Sequence, residues 1–296
     1  MFYENWMSYI KDEAELTKTA MPGSHNACTA GMIFLGRCQD DGVLNQYRCG
    51  VRRFSVRLKF VGGKVHAAHS LATGKTGDEI FREFGEMVKN YDDFFFMDVS
   101  TYPDQPVGPF VYKCSCEPER VDELIEKYLE PEKYALTDID DLAHMTFGDL
   151  RKSGKKFLIH NGDEIYAYSR DTKLLDPWNS KEFGYRPEKF AGICLHYLRE
   201  LESEGFFVLQ TQLTPGAGTE NGITKWPPAL DKILRPVFPK IMADIAADPE
   251  LLRKVNIVSG DFMTKDTMKI NEILKLNLLK GAVREDMAEE YAAALK

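Results

Sequence analysis

Strand-like and helix-like segments alternate along this chain, and the alternation limits its possible folds more than any other feature. The strand-like segments are rich in β-branched or apolar residues and cover positions 16–21, 53–60, 93–100, 155–161, 206–213 and 254–262. Helical patterns lie between and after them, at positions 77–90, 117–130, 187–203, 228–247, 265–276 and 284–295. Repeated strand–helix units indicate a β/α architecture with a mainly parallel sheet.

Length and composition favour a barrel over an open sheet. The chain has 296 residues, of which 44% are hydrophobic and 28% charged, as in a globular protein with a large core. Continuously apolar runs such as positions 94–97 predict strands buried on both faces. We therefore expect an α/β fold in which residues 1–296 form a single β/α barrel of the TIM type, irregular or incompletely closed, with a short N-terminal helix and C-terminal helices.

The charge balance excludes some classes of partner. The chain carries 38 basic and 46 acidic residues, which gives a net charge of -8. Such a surface repels phosphate backbones, so we expect no nucleic-acid partner. It provides no overall attraction to an anionic membrane either, and no apolar run reaches the ~20 residues of a membrane-spanning helix. No obligate protein partner is evident.

Cysteine usage and the first residues bear on the compartment. The six cysteines are irregularly spaced and too sparse for a disulfide scaffold, so we expect reduced thiols. Residues 1–16 lack the basic start and the apolar stretch of a signal peptide. The sequence as written therefore predicts no export signal.

Polar residues stand at the ends of several predicted strands, which is where β/α barrels place their chemistry. His25 follows the first strand, Arg57 lies near the end of the second, and His69 directly follows a short third strand at 64–68. The last strand runs out at Ser259, Gly260 and Asp261. Because these side chains come from different strand ends, they can converge on one pocket.

This set of side chains suits metal-free cleavage of a phosphodiester. Imidazoles titrate near neutral pH, so one can take a proton from a hydroxyl while the other protonates a leaving oxygen. A guanidinium can hold a phosphate through two hydrogen bonds, and a carboxylate can fix the tautomer of one imidazole. The set predicts a ribonuclease-like mechanism in which an internal hydroxyl attacks the phosphorus.

Several segments resemble the bacterial phosphatidylinositol-specific phospholipases C, in the same order along the chain. PGSHNACT at 22–29 resembles that family's P-G-T-H-D-S-G-T motif, and NQYRCGVRRFSVRLK at 45–59 resembles its segment of helix, G-x-R, strand and D-x-R. VHAAHSL at 65–71 resembles its L-H-H-G segment, and FGDLRKSGKKFLI at 147–159 its G-D-x-R-G-K-x-V-L-L stretch. NIVSGDF at 256–262 resembles its last strand. The resemblance spans almost the whole chain.

The resemblance implies a role for each residue of the set. His25 would be the general base that deprotonates the inositol 2-hydroxyl, supported by Asp261. Arg57 would hold the phosphate, and His69 would be the general acid for the diacylglycerol oxygen. Calcium-dependent relatives carry a metal-ligating acid at the position of Arg57, so the resemblance implies no metal and no other cofactor. The products would be diacylglycerol and inositol 1,2-cyclic phosphate, from phosphatidylinositol or a glycosylated form of it.

Further positions are candidates for binding the substrate. Asp176 and Trp178 resemble a D-x-Y pair that contacts the inositol ring in the family. Ser100 falls where the bacterial members have a lysine near the substrate, and His160 stands at a predicted strand end.

Contact with a membrane that contains phosphatidylinositol is expected at the rim of the barrel. The segment 214–228 follows a predicted strand and presents Ile223 and Trp226 beside Lys225. Tryptophan is favoured at bilayer interfaces, and the family has one in the matching loop. The resemblance also implies a secreted enzyme, which leaves localisation open because the chain shows no leader.

Three departures from the family weaken the transfer of its activity, and Ser100 in place of the bacterial lysine is one of them. Asn26, which we include among the candidate catalytic residues, stands where bacterial members have aspartate. Ser55 stands where an aspartate precedes the arginine by two positions, so we expect Arg57 to be less tightly held. The alternatives are a related barrel phosphodiesterase acting on glycerophosphodiesters and a catalytically weak protein that binds inositol lipids.

Overall fold

The computed structural model describes residues 1–138, 141–160, 165–178, 187–214 and 226–296. Its strands are β1 (Met21–Ser24), β2 (Arg53–Val61), β3 (Lys64–His69), β4 (Ala72–Thr76), β5 (Phe95–Thr101), β6 (Gln105–Val107), β7 (Phe110–Tyr112), β8 (Phe157–His160), β9 (Ser169–Arg170), β10 (Val208–Gln210) and β11 (Ile257–Gly260). Its α-helices are α1 (Val43–Arg48), α2 (Gly77–Asn90), α3 (Pro118–Leu129), α4 (Pro131–Tyr134), α5 (Phe147–Ser153), α6 (Pro187–Glu200), α7 (Pro227–Leu234), α8 (Phe238–Ala247), α9 (Pro249–Lys254), α10 (Met268–Leu279) and α11 (Ala288–Ala294).

The main sheet is a curled parallel sheet with the strand order β10-β11-β1-β2-β5-β8-β9. Its two outer strands approach each other where Leu175 forms an isolated parallel bridge with Phe207, just before β10. The Leu175 N–H donates to the Phe206 carbonyl at 2.8 Å. Because only this bridge joins the two edges of the sheet, the barrel is incompletely closed. The prediction of an irregular, incompletely closed barrel is confirmed.

A hairpin extends the sheet beyond the barrel and carries one of the predicted site residues. β3 runs antiparallel to β2, and Gly62 and Gly63 join them with φ values of 60° and 81°. A Gly-Gly pair suits such a two-residue turn because a side chain disfavours positive φ. Ala67 pairs with Leu58, so the returning strand brings His69 back toward the part of β2 that carries the predicted arginine.

Aromatic packing holds the helices against the outside of the sheet. Phe95 in β5 stacks on Phe84 of α2 at 5.7 Å between ring centroids and on Phe157 of β8 at 5.8 Å. The start of α2 is fixed by a capping box, in which the Thr76 side chain accepts from the Glu79 N–H and the Glu79 carboxylate accepts from Thr76. Strand β5 is therefore covered on one side and leaves its other face to the barrel interior.

Three predicted elements differ from those observed. The strand predicted at 16–21 is not observed at that place: Leu16–Lys18 is a 3-10 turn, where the buried Asn256 amide donates to the Leu16 and Thr19 carbonyls at 2.9 and 2.8 Å, and β1 begins only at Met21. The helix predicted at 228–247 is broken into α7 and α8 around Pro236, which has no N–H to continue the helix.

The short N-terminal helix is instead a pair of 3-10 turns, Phe2–Glu4 and Trp6–Tyr9. The C-terminal helices are present as α10 and α11, and all six cysteines are free, as predicted. None of the helices in the described part of the chain has both the length and the apolarity to cross a membrane.

Candidate active site

A cavity of about 700 Å³ opens at the carboxyl ends of the parallel strands. Among the residues that line it are His25, Asn26, Arg57, His69, Ser100, His160, Asp176, Trp178 and Asp261. Every residue predicted from the sequence as catalytic or substrate-binding therefore faces the same cavity, although the residues come from strands and loops far apart in the sequence.

His25 and Asp261 form a hydrogen-bonded pair at the ends of two neighbouring strands. β1 and β11 pair in register up to Ser24 and Gly260, and the next residue of each strand is a member of the pair. His25 Nδ1 lies 2.7 Å from Asp261 Oδ1. Because a carboxylate only accepts, Nδ1 carries the proton and Nε2 keeps its lone pair.

The second histidine faces the first across the cavity. The rings of His25 and His69 are 6.4 Å apart between centroids and nearly perpendicular, at 84°. His69 Nδ1 lies 2.9 Å from the Gly36 carbonyl, which can only accept, so Nδ1 of His69 also carries a proton. Burial lowers the pKa of His69 below its ordinary value of 6.5, and the Gly36 carbonyl partly offsets this effect.

Arg57 contributes a positive charge to the cavity, and no acid among the described residues pairs with it. The residue lies on β2, and within the described part of the chain its Nε is buried without a hydrogen bond. Both acids that the family motif would place nearby are absent, since Asn26 and Ser55 occupy those positions. The arrangement leaves the guanidinium free to bind an anion.

A second arginine on the same strand face is tied to the floor of the cavity, and the sequence reasoning missed it. Arg53 Nη2 lies 2.5 Å from Asp98 Oδ2 and 4.0 Å from Asp176 Oδ2. Gln210 Nε2 donates to the same Asp176 oxygen at 2.6 Å. Burial raises the pKa of Asp176 and the charge of Arg53 counteracts it. The sequence does show both charges, since Arg53 and Asp98 each stand within a predicted strand.

His160 and Trp178 complete the side of the cavity away from the two facing imidazoles. His160 Nδ1 lies 2.6 Å from Thr172 Oγ1, and burial lowers the pKa of His160. The Trp178 side chain is 38% exposed, and the backbone N–H of Trp178 donates to Asp176 Oδ1 at 3.3 Å. An aromatic ring beside a carboxylate can contact both the apolar face and the hydroxyls of a polyol.

Asn26 and Cys38 lie beside the two imidazoles. Asn26 is buried with φ at 44°, and its Nδ2 donates to Cys38 Sγ at 3.6 Å. Cys38 Sγ is also 3.6 Å from His69 Nδ1. Sequence reasoning missed Cys38, because it stands in an irregular loop with no motif around it.

The predicted membrane rim is described only in part. Trp226 is 36% exposed, and its ring meets the exposed Phe34 edge-on at 6.3 Å. The following residue, Pro227, lines the cavity, so Trp226 stands beside its mouth. Ile223 and the rest of positions 215–225 lie outside the described residues.

Comparison with known proteins gives a likeness of fold. No protein-family model matches the chain, and no curated protein matches it. Among solved structures, the phosphatidylinositol-specific phospholipase C from Listeria monocytogenes is similar with a TM-score of 0.63 at 15% identity, over 93% of this chain and 98% of that chain. A variant of the Staphylococcus aureus phosphatidylinositol-specific phospholipase C is similar with a TM-score of 0.65 at 15% identity, over 92% of this chain and 97% of that chain. The fold is therefore the one that these two bacterial proteins share.

Proposed function

We propose that this protein is a metal-independent phosphodiesterase that cleaves phosphatidylinositol, or a glycosylated form of it, to diacylglycerol and inositol 1,2-cyclic phosphate. One observation carries the proposal: His25, backed by a carboxylate at 2.7 Å, faces His69 at 6.4 Å in a cavity that also contains the unpaired Arg57. The fold shared with two phosphatidylinositol-specific phospholipases C supports the choice of substrate class.

The first half of the reaction is deprotonation and attack. His25 Nε2 accepts the proton of the inositol 2-hydroxyl, and that oxygen forms a bond to the phosphorus. Asp261 accepts a hydrogen bond from the imidazolium that results, so the positive charge is stabilised where it develops. The attacking oxygen belongs to the substrate, which removes the entropy cost of bringing in a separate nucleophile.

The second half is departure of the lipid. The bond between phosphorus and the diacylglycerol oxygen breaks, and His69 donates a proton to that oxygen. Burial makes the protonated form of His69 a stronger acid than an exposed imidazolium, because it lowers the pKa of the ring. A phosphate bound between Arg57 and His69 would in turn favour the protonated ring, because an opposite charge nearby stabilises the charged form.

Arg57 supplies positive charge to the phosphate. Two N–H groups of a guanidinium can donate to two non-bridging phosphate oxygens at once. Negative charge increases on those oxygens in the transition state, so the guanidinium stabilises the transition state more than the ground state. Asp176 and Trp178 would contact the inositol ring, with Asp176 held in place by Arg53 and Gln210. Ser100, Asn26 and His160 would lie around the same ring and phosphate.

The lipid substrate requires contact with a bilayer at the mouth of the cavity. Trp226 and Phe34 present apolar surface there, and Phe34 is 56% exposed. Because the net charge of the chain is -8, this contact must be local and largely apolar rather than electrostatic.

The phosphorus product tests the proposal. Phosphorus NMR of the reaction on phosphatidylinositol in detergent should show inositol 1,2-cyclic phosphate as the first product. The same sample with His25→Ala should show unchanged lipid. A linear inositol phosphate formed without the cyclic one would contradict attack by the 2-hydroxyl. Cleavage of glycerophosphodiesters in preference to the inositol lipid would favour the alternative phosphodiesterase.

A further inference from the structure

Cys38 is a buried thiol that the proposed reaction does not use. Its side chain is fully buried, and the loop that carries it is fixed by backbone contacts. The Cys38 N–H donates to Thr29 Oγ1 at 3.0 Å, and the Cys38 carbonyl accepts from the Phe262 N–H at 2.8 Å. The second contact ties the thiol to the residue that directly follows Asp261, so the sulfur and that carboxylate are held together.

The sulfur lies beside two potential metal ligands. One ligand atom each from His25, Cys38 and Asp261 lie within 4.8 Å of one another. In a tetrahedral zinc site, with bonds of roughly 2.0–2.3 Å, ligand atoms are roughly 3.3–3.8 Å apart. The spacing of the three ligand atoms is therefore at most about 1–1.5 Å wider than in a formed site.

A fourth polar atom is available at the same place. Asn26 is 2% exposed, and its Oδ1 has no hydrogen-bond partner within the described part of the chain. Its amide nitrogen already contacts the Cys38 sulfur. A water molecule held by the Asn26 oxygen, or that oxygen itself, could fill the fourth position of a tetrahedral site.

We propose that His25, Cys38 and Asp261 form a binding site for Zn²⁺ or a similar soft divalent cation, and that occupation of this site blocks catalysis. The inhibition rests on the proposed function, whereas the binding of the metal does not. One thiolate, one imidazole and one carboxylate favour zinc, cadmium or cobalt over the hard ions calcium and magnesium.

Metal binding disables the base whichever nitrogen of His25 binds. If Nε2 is the ligand, the lone pair that would accept the substrate proton is used. If Nδ1 is the ligand, its proton moves to Nε2, and that nitrogen again has no lone pair. The metal also separates the imidazole from the carboxylate that supports it.

The experiment measures metal binding and inhibition separately. Co²⁺ is added to the whole protein, and thiolate-to-cobalt charge transfer is followed by near-ultraviolet absorption. Zn²⁺ is then titrated into a cleavage assay with a water-soluble inositol phosphodiester. The variant Cys38→Ser removes the soft ligand, and Cys49→Ser is the control because Cys49 is half-buried and does not line the cavity. Circular dichroism establishes that each variant is folded.

The wild type and Cys49→Ser should show the charge-transfer band, and both should be inhibited by Zn²⁺. In Cys38→Ser the band should disappear, and inhibition should need at least ~100-fold more zinc, since even the partners of metal ligands contribute ~10–100-fold to affinity. Asp261→Asn should also weaken the band, which provides a second variant if Cys38→Ser does not fold.

Two results overturn the inference. The first is a charge-transfer band that persists in Cys38→Ser, because the thiolate then lies elsewhere. The second is a wild type that cleaves the substrate but is equally active with and without zinc. A wild type that binds Co²⁺ through Cys38 but cleaves no inositol phosphodiester supports the metal site and contradicts only the proposed function.

Discussion

Arg53 and Arg57 lie four residues apart on one face of β2, and within the described part of the chain only Arg53 has an acidic partner. Arg53 is fully buried and paired with Asp98 at 2.5 Å, which offsets the cost of removing its charge from water. Arg57 is partly exposed to the cavity, so water compensates part of that cost. A strand thus carries one structural arginine and one whose charge remains available to a ligand.

Substitution of Arg57 should mainly lower kcat, whereas substitution of Arg53 should mainly lower the free energy of unfolding. Arg57→Lys keeps the charge but loses the planar pair of donors, so we expect kcat to fall by ~10²–10³-fold, the range for one donor to a transition-state oxygen. The free energy of unfolding should change by less than ~0.5 kcal/mol, since no contact is broken. Steady-state kinetics and urea denaturation measure the two effects.

The matched control is Arg53→Met, which leaves the carboxylates of Asp98 and Asp176 without their cation. Breaking a buried ion pair in this way should reduce the free energy of unfolding by about 3–5 kcal/mol. If Arg57→Lys were as destabilising as Arg53→Met, then Arg57 would be structural and the phosphate role would be wrong.

The two imidazoles should contribute comparably to turnover. Each general acid or base is typically worth ~10²–10⁴-fold in rate, so His25→Ala and His69→Ala should each lose at least that much kcat while remaining folded. A combined variant should lose less than the product of the two, because both act in one reaction. Near-normal cleavage by either single variant would remove that histidine from the mechanism.

Chelation of metal ions should not reduce cleavage. The family resemblance implies a metal-ligating acid at the position of Arg57 in calcium-dependent enzymes, and Asn26 and Ser55 add no carboxylate here. Treatment with a calcium chelator should therefore leave activity unchanged, or raise it slightly if trace zinc is removed from the cavity. A strict calcium requirement would make Asn26 a ligand and would contradict the proposed mechanism.

His160 should make folding stability depend on pH. Burial lowers its pKa below the ordinary 6.5, so the folded protein disfavours the charged ring. The unfolded chain takes up a proton below pH 6.5 that the folded chain does not, and stability is lost as the pH falls from 6.5 through the lowered pKa. The charges that face the ring are Asp98, Asp171 and Asp176, which raise its pKa, and Arg53, which lowers it.

Replacing His160 with Gln should reduce that slope. One titrating group contributes at most about 1.4 kcal/mol per pH unit, and His69, which is shifted in the same direction, remains in the variant. Urea denaturation at several pH values between neutrality and pH 5 compares the two proteins. Identical slopes would mean that the pKa of His160 is the same in the folded and the unfolded protein.

The parts of the site that follow a strand could be predicted from the sequence, and the parts set by loop geometry could not. Residues at the ends of parallel strands meet at one edge of the sheet, so the strand pattern made His25 and Asp261 candidates for one pocket, and the family resemblance gave them their roles. The family resemblance added Asp176, whose position after the two-residue strand β9 has no periodic signal. Cys38 depends on a loop held by Thr29, and no local pattern predicts that contact.

The predicted helix and strand boundaries were wrong where a side chain alters the backbone hydrogen bonds. The buried amide of Asn256 satisfies the carbonyls that would otherwise join a strand at 16–21. At Pro236 the apolar periodicity continues through a residue that cannot donate a hydrogen bond, so the pattern predicts one helix where there are two. Both errors concern backbone hydrogen bonds, which hydrophobic periodicity does not report.

Trp226 and Trp178 offer a matched test of the membrane rim, since they are 36% and 38% exposed but stand in different places. Trp226 packs on the exposed Phe34 beside the mouth, whereas Trp178 lines the cavity. We expect Trp226→Ala to weaken binding to phosphatidylinositol vesicles by about 1–3 kcal/mol, the value for burial of a large side chain. Vesicle sedimentation measures this loss. Hydrolysis of a water-soluble inositol phosphodiester should be nearly unchanged.

Trp178→Ala should show the reverse pattern, because its ring would contact the inositol rather than the bilayer. Its KM for the soluble substrate should rise, while sedimentation with vesicles of phosphatidylcholine alone should be unaffected. If Trp226→Ala reduced vesicle binding and hydrolysis of the soluble substrate equally, the ring would only pack beneath its own loop. In that case the apolar contact with the membrane would have to come from elsewhere on the rim, since the net charge of -8 provides no attraction to an anionic surface.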